Sequence, residues 1–281
     1  MSLNKFRIPR LFPLLFVIVF VLAMTSSPAL GEVSVKPLSV RLTAGAGETA
    51  SGTIQIRNRS EQPTRVRLRT VDWWRTEKGD LQILPPGSRE RSSTDWTILS
   101  PGEFELDPDE RIEVTVEATV PEGASGDHWS MILVTEEPVN PEEASGMQIS
   151  VGYAVKILVS DPNSQDKQGK ITNVEVKSTN PIEMSITYEN TGEKYTKTEG
   201  SVEIRNLQGE TEKEFEISEF PTLPAEEHIL TVRGEKASES LSPGQYYAIV
   251  VLDYGGDKLI QGGLPFTVPE AGEKNPKDQS N

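Results

Sequence analysis

An alternating row of apolar residues is the strongest constraint on what this chain can fold into. Each odd-numbered position from 147 to 159 is apolar, and the row comprises Met147, Ile149, Val151, Tyr153, Val155, Ile157 and Val159. A period of two predicts a β-strand, here of thirteen residues, whereas an average strand has about 5–6 residues. Two interpretations are open: a long core strand of a two-sheet sandwich, or a strand that offers part of its length to an extended segment of another protein.

Short alternating segments recur along the chain, separated by Gly, Pro, Asn and Asp, and helical periodicity is almost absent. This pattern predicts an all-β fold made of two tandem β-sandwiches. The strands expected in the first half cover 33–43, 49–58, 64–74, 80–84, 102–106, 110–120, 128–136 and 147–159. Those expected in the second half cover 170–178, 183–190, 200–206, 212–218, 229–234, 245–253 and 258–268.

The first predicted strand changes parity along its length. Its early apolar residues, Val33 and Val35, are odd-numbered, whereas Val40 and Leu42 are even-numbered, and Pro37 lies between the two pairs. A shift of one residue in a strand moves its apolar side chains to the opposite face. We therefore expect an edge strand that passes from one sheet to the other near the proline.

The two halves also resemble each other at two points. Residues 54–58 (IQIRN) are similar to residues 186–190 (ITYEN), and residues 126–134 (GDHWSMILV) are similar to residues 244–252 (GQYYAIVVL). This internal similarity supports a tandem of related sandwiches.

The predicted organisation has five segments. They are a signal peptide (1–31), a first sandwich (32–162), a linker (163–169), a second sandwich (170–268) and a disordered tail (269–281). The linker is assigned because the stretch around it combines several turn-forming residues with no strong apolar side chain. The tail is assigned because it is short and polar.

The first segment reads as a secretory signal peptide. Lys5, Arg7 and Arg10 precede an apolar run over 11–24, and small residues follow before Glu32. The run is shorter than the roughly 20 residues that a membrane-spanning helix needs. We expect cleavage of this segment, no membrane insertion of the mature chain, and a location in the periplasm or at the cell surface.

Charge and composition exclude several classes of function. Removal of the three signal-peptide cations leaves 25 Lys and Arg residues against 43 Asp and Glu residues, a net charge of −18. Such a surface is a poor match for nucleic acid or anionic membranes. The chain has no cysteine, and its two histidines, His128 and His228, show no metal-ligand spacing. Since no nucleophile or base can be named either, we predict no metal, no cofactor and no enzymatic activity.

The four tryptophans suggest a second class of function. Trp73, Trp74, Trp96 and Trp129 could form an aromatic face that stacks on sugars. Trp73 and Trp74 are adjacent within a predicted strand, so their side chains should point to opposite faces. At most one of these two can therefore contribute to either surface.

Residues 32–162 resemble the N-terminal immunoglobulin-like domain of periplasmic pilus chaperones of the PapD type. Four motifs carry the resemblance in order: Ile54-x-Ile-x-Asn58, Leu106-x-Pro108-x-Glu110, Leu133-Val-Thr-Glu-Glu-Pro138 and Val155-Lys-Ile-Leu-Val-Ser-Asp-Pro162. The resemblance implies two tandem immunoglobulin-like β-sandwich domains. It also implies a non-enzymatic chaperone that binds protein subunits of the cell envelope or a pilus by β-strand addition.

The resemblance further implies a binding site. In that family a long alternating strand completes an unfinished subunit, and a basic pair binds the C-terminal carboxylate of the subunit. The implied partner contacts are Met147, Ile149, Val151, Tyr153, Val155 and Ile157, with Lys156 as one cation and Arg41 as the other. Arg41 lies between Val40 and Leu42, so it is expected on the opposite face unless the kink at Pro37 shifts the register.

An alternative resemblance leads to a different function. The same outline of a signal and two sandwiches is similar to Gram-positive WxL-interacting surface proteins. This resemblance implies a structural or adhesive envelope protein that binds wall components or surface proteins. Members of that group usually carry a C-terminal membrane anchor, whereas this chain ends in a short polar tail.

Overall fold

The protein, in a computed structural model, is described over residues 33–139, 152–234 and 241–270. Across these residues the regular structure is β-strand, apart from a short 3-10 turn at Thr94–Trp96. The strands of the first half are β1 (Val33–Lys36), β2 (Ser39–Thr43), β3 (Thr49–Asn58), β4 (Thr64–Arg75), β5 (Leu81–Leu84), β6 (Thr97–Ser100), β7 (Glu103–Leu106), β8 (Arg111–Thr119), β9 (His128–Pro138) and β10 (Tyr153–Ser160). Those of the second half are β11 (Gly169–Thr179), β12 (Ile182–Asn190), β13 (Thr196–Asn206), β14 (Thr211–Thr222), β15 (Glu227–Arg233), β16 (Gly244–Asp253) and β17 (Ile260–Val268). The all-β prediction is confirmed.

The first half forms a sandwich of two sheets. One sheet has the order β1-β3-β8-β6, and the other has the order β2-β10-β9-β4-β5, with β7 also paired to β4. Their inner faces enclose a core that includes Ile54, Val116 and Ile132. Strand β6 was not predicted, because Ile98 and Leu99 are adjacent apolar residues that face opposite sides and leave no period of two.

The chain crosses between these two sheets at its start, as the change of parity predicted. Val33 and Val35 are buried on β1, which pairs with β3 in the first sheet. Val40 and Leu42 are buried on β2, which pairs with β10 in the second sheet. Pro37 lies between the two strands. Both apolar pairs therefore reach the same core from opposite sheets.

Strand β10 holds the described part of the long apolar row. It lies between β9, which is antiparallel to it, and β2, which is parallel to it. Val155, Ile157 and Val159 are buried in the sandwich core. These side chains pack within the protein, although the resemblance assigned Val155 and Ile157 to partner contacts, because odd-numbered positions of β10 face the opposite sheet. Tyr153 is half-buried against the same core, and Met147, Ile149 and Val151 lie outside the described residues.

The second half forms another sandwich, so the prediction of two tandem sandwiches is confirmed. A sheet ordered β11-β12-β15 faces a sheet ordered β14-β13-β16-β17. The core between them includes Met184, Ile186, Val202, Ile204 and Val250. Each of these residues alternates with more exposed neighbours along its strand, which is the pattern of a half-buried sheet.

One buried asparagine plays the same role in each sandwich. Asn58 ends β3, its side-chain amide donates to Gln62 O and Leu106 O, and its Oδ1 accepts from Ser60 N. Asn190 ends β12, donates to Lys194 O and Thr222 O, and accepts from Gly192 N. The similarity between residues 54–58 and 186–190 thus reflects the same turn, organised by the asparagine that ends the strand in each sandwich.

The two sandwiches are joined by buried polar contacts. Lys194 Nζ lies 2.7 Å from Asp127 Oδ1, and these side chains are 12% and 2% exposed. Asp127 Oδ2 also accepts a hydrogen bond from Tyr195 N at 2.8 Å. In the connecting segment, Gln168 O accepts from the backbone N–H groups of residues 191 and 192. The connection is therefore tied to the second sandwich by its own backbone.

Candidate functional site

The outer face of the β2-β10-β9-β4-β5 sheet is apolar where it meets the second sandwich. Trp73, Trp129, Met131 and Leu158 pack there with Leu223 of the second sandwich. The strand register explains this cluster, because Trp129 lies opposite Leu158 and Met131 lies opposite both Val71 and Lys156. Side chains at these positions point away from the core of the first sandwich.

The tryptophans are engaged within the protein. Trp73 Nε1 donates to Ser130 O at 3.0 Å, and Trp129 Nε1 donates to Trp73 O at 3.2 Å. Trp74 stacks on Trp129 with ring centroids 5.9 Å apart, and the Arg89 guanidinium lies 3.9 Å from the centroid of the Trp74 ring. Trp73 and Trp129 are buried, whereas Trp74 and Trp96 are half-buried, so protein atoms cover two of the four rings that a sugar-binding face would use.

A pocket of about 110 Å³ lies beside this cluster, between the two sandwiches. Its lining from the first sandwich is Ser39, Arg41, Trp73, Arg75, Trp129, Lys156, Ile157 and Leu158. Its lining from the second sandwich is Tyr195, Pro221 and Leu223. The pocket therefore combines apolar walls with three cationic side chains.

The structure brings the two predicted cations, Arg41 and Lys156, into this pocket. In the parallel pairing of β2 with β10, Lys156 lies opposite Ser39 and Leu158 lies opposite Arg41. Arg41 does face away from Val40 and Leu42, and that outer face is also the face of Lys156. No shift of register at Pro37 is needed.

Both cations lie over aromatic rings. The Arg41 guanidinium lies 5.3 Å from the centroid of the Tyr195 ring, and Lys156 Nζ lies 4.9 Å from the centroid of the Trp73 ring. Within the described part of the chain, neither cation has a carboxylate at salt-bridge distance. Partial burial, followed by the nearby charge of Arg75, lowers the pKa of the Lys156 ammonium, while the charge of Glu226 acts in the opposite direction. An anion that entered the pocket would stabilise the charged form of Lys156.

The third cation, Arg75, is already paired. Its Nε lies 2.7 Å from Glu226 Oε1, and its Nη2 donates to Glu226 Oε2 at 2.8 Å and to Pro221 O at 2.9 Å. Burial raises the pKa of the Glu226 carboxyl, and the charge of Arg75 opposes this effect. The cations that remain available to a ligand are Arg41 and Lys156.

The edge of β10 is open next to the pocket. Strand β2 pairs with β10 only from Lys156 to Ser160, whereas β9 pairs with it from Tyr153 to Val159. Over residues 153–155, no described strand occupies the β2 side of β10. Backbone N–H and C=O groups along such an edge can bind an added strand.

Sequence reasoning missed several pocket residues. Trp73 and Trp129 were singled out as aromatic residues, but Arg75, Tyr195 and Leu223 carried no signal as members of a site. Arg75 ends a strand of the first sandwich, and the other two lie in the second sandwich. Only the packing of one sandwich against the other brings them together.

A second depression, of about 450 Å³, lies near the tip of the β4–β5 hairpin. Its lining includes Lys78, Asp80 and Glu227, so charges of both signs are mixed there and no ligand charge is favoured. Over residues 33–139, 152–234 and 241–270, no cluster of three His, Cys, Asp or Glu residues could hold a metal ion. The same residues include no helix of the length and hydropathy needed to cross a membrane.

The sequence matches no protein-family model and no curated protein. Several solved structures are similar to it at low identity. One is a chain of the chaperone–tip adhesin complex of CFA/I fimbriae biogenesis, 12% identical over 85% of this chain and 100% of that chain, with a TM-score of 0.48. Another is from the CsuC–CsuE chaperone–tip adhesion subunit pre-assembly complex of Acinetobacter baumannii Csu pili, 11% identical over 84% and 98%, with a TM-score of 0.45. A third is the E. coli chaperone DraB, 16% identical over 83% and 98%, with a TM-score of 0.42.

Proposed function

We propose that the chain is an exported, non-enzymatic, chaperone-like protein that binds protein subunits of the cell envelope or a pilus. In this proposal it holds the C-terminal end of an extended partner segment along β10. One observation carries the proposal: two cations without a carboxylate partner among the described residues, Arg41 and Lys156, lie where the open edge of β10 ends. A peptide chain that ends in a carboxylate supplies both the backbone groups and the charge that this arrangement lacks.

The strand direction supports a C-terminal end in the pocket. Strand β2 runs parallel to β10, and its first residue, Ser39, lies opposite Lys156. A partner strand could extend the line of β2 and lie beside residues 153–155 of β10. Such a strand would end next to Ser39, the first residue of β2. A parallel partner brings its carboxylate to Lys156 and Arg41, whereas an antiparallel partner brings an ammonium group that both cations repel.

The pocket and the edge contribute different parts of the binding. Main-chain hydrogen bonds to Ala154, whose N–H and C=O point to the β2 side as the Lys156 N–H and the Ser160 C=O do, accept many sequences, because every residue except proline offers the same backbone groups. A charge-assisted hydrogen bond to the terminal carboxylate adds about 1.5–3 kcal/mol, or about a ten- to hundredfold gain in affinity. The pocket therefore distinguishes the end of a chain from an internal strand.

A peptide with and without its terminal charge tests the proposal. The probe is a synthetic peptide of about ten alternating valine and threonine residues, with either a free carboxylate or an amide at its C terminus. Calorimetric titration should show that the carboxylate form binds about ten- to hundredfold more tightly. Lys156→Ala should remove most of this difference and leave the melting temperature nearly unchanged, since Lys156 reaches solvent.

Lys177→Ala is the matched control. Lys177 is an exposed lysine of the second sandwich that is paired with Glu175 and lies outside the pocket. This variant should bind both peptides like the wild type. Equal affinity of the two peptides for the wild-type protein would contradict the proposal.

A further inference from the structure

A four-residue turn occurs once in each sandwich, at residues 107–110 and 223–226. In both copies the third residue has a positive φ, 63° and 61°. In both, the carboxylate of the closing glutamate accepts a hydrogen bond from the first backbone N–H of the turn, at 2.8 Å for Glu110 and 2.6 Å for Glu226. The two glutamates thus occupy the same position in the same local structure.

Their surroundings differ. Glu110 is exposed to solvent, whereas the Glu226 side chain is fully buried at the boundary between the sandwiches. Glu226 there forms an ion pair with Arg75, which ends β4, and its Oε2 accepts a hydrogen bond from Arg75 Nη2. Only the second copy of the turn therefore places its carboxylate against the cations of the pocket.

The ion pair between Arg75 and Glu226 lowers the positive charge that a ligand encounters in the pocket. Arg41, Arg75 and Lys156 line the pocket, and Glu226 is paired with Arg75 and acts on the charge of Lys156. The repulsion between Glu226 and a bound anion is proportional to the charge of that anion. Glu226 therefore disfavours a dianion about twice as strongly as a carboxylate, and it also accepts from Arg75 Nη2, a donor that a sulfate or phosphate could otherwise use.

We propose that Glu226 is a specificity-determining residue, which lowers the affinity of the pocket for doubly charged anions relative to a singly charged carboxylate. This inference rests on the proposed function, because it concerns the same carboxylate site. Replacement of Glu226 by glutamine leaves a side chain of the same shape that can still accept from Leu223 N. It removes the negative charge, so the positive charge of Arg75 is no longer neutralised, although the amide oxygen at the Oε2 position can still accept from Arg75 Nη2.

Competition between acetate and sulfate tests the inference. Each salt is titrated at constant ionic strength, and binding is followed through the NMR signals of the Trp73 and Trp129 indole N–H groups, which lie at the pocket. In Glu226→Gln, the affinity for sulfate relative to acetate should rise by about tenfold over the wild type. Glu110→Gln is the matched control, since it changes the same position of the first turn without an arginine, and its ratio should equal that of the wild type.

A double variant keeps the test valid if the single variant folds poorly. Arg75→Gln combined with Glu226→Gln removes one positive and one negative charge, so its sulfate-to-acetate ratio should stay close to that of the wild type. A tenfold rise in the double variant would overturn the inference. So would an unchanged ratio in a folded Glu226→Gln protein.

Lys156→Ala separates this inference from the proposed function. If acetate binding to the wild type does not depend on Lys156, the carboxylate site itself is refuted, and the inference with it. If acetate binding depends on Lys156 and the ratio still does not respond to Glu226→Gln, only the role of Glu226 is refuted.

Discussion

Lys156 is unusual at the scale of the single residue because an aromatic ring, and not a carboxylate, holds its ammonium group. A cation–π contact with Trp73 fixes the position of Nζ and leaves its N–H donors free. Partial burial and the charge of Arg75 lower the pKa of this lysine. In the unliganded protein it therefore loses its proton at a lower pH than an ordinary exposed lysine does. A bound carboxylate would reverse that effect, because it favours the protonated amine.

Binding of the carboxylate peptide should therefore weaken as the pH rises. The protonated amine is the binding form, so the affinity is constant at neutral pH and falls as the pH passes the lowered pKa of Lys156. Lys156→Arg should keep its affinity to higher pH, since a guanidinium stays charged above about pH 12. Calorimetry across the alkaline range measures both curves, and the amide peptide should show no such loss. A parallel loss in the wild type and in Lys156→Arg would show that another group titrates.

At the scale of the element, β10 presents three different surfaces. Its odd-numbered residues from 155 to 159 pack in the core, Lys156 and Leu158 line the pocket, and over residues 153–155 no described strand pairs with its β2 side. In the proposed function, the same strand stabilises the sandwich and binds a partner through different atoms.

The separation of these tasks predicts opposite results for adjacent substitutions. Ile157→Ala should lower the free energy of unfolding by about 2–5 kcal/mol, because it removes a fully buried side chain. Lys156→Ala should lower it by less than about 0.5 kcal/mol, since this side chain is exposed on the outer face. Urea unfolding of both variants measures the difference. Similar losses would mean that the outer face of β10 contributes to stability as much as the core does.

The period of two predicted much of this element. It grouped the residues of β10 that share one face but left open whether that face meets the core or a partner, and the change of parity near Pro37 correctly predicted that the first strand passes between two sheets. It could not predict that Arg41 and Lys156 share a face, because that depends on the pairing of strands far apart in the chain. Nor could it predict Arg75 with Glu226, since their contact depends on how one sandwich packs on the other.

At the scale of the whole molecule, the pocket exists only while the two sandwiches are docked. Walls come from both, and two buried ion pairs, Asp127 with Lys194 and Arg75 with Glu226, connect them. The first pair lies next to the connection between the sandwiches, because Lys194 Nζ also donates to Asp161 O at 2.6 Å. Removal of one partner of such a pair leaves a buried charge without compensation.

The rate of trypsin cleavage at Lys167 measures how well the contacts between the sandwiches protect the segment that connects them. The sequence alone predicts a linker over 163–169, but the backbone hydrogen bonds at Gln168 lead us to expect slow cleavage in the wild type. Asp127→Ala should accelerate cleavage at least about tenfold, because unpaired Lys194 weakens the contact between the sandwiches. Glu219→Gln, which removes only the exposed pair with Lys197, is the control and should be cut at the wild-type rate. Fast cleavage of the wild-type protein would show that the hydrogen bonds at Gln168 do not protect the connecting segment.

The open edge of β10 also has a consequence for colloidal behaviour. An unpaired sheet edge can join the edge of a second copy, which is the first step of many aggregation reactions. Here the whole sequence carries a net charge of −15, so two copies repel each other before their edges meet. Salt screens that repulsion but leaves the backbone groups of the edge unchanged. The acidity of the chain thus keeps identical molecules apart at long range, without changing the hydrogen-bonding groups at the edge of β10.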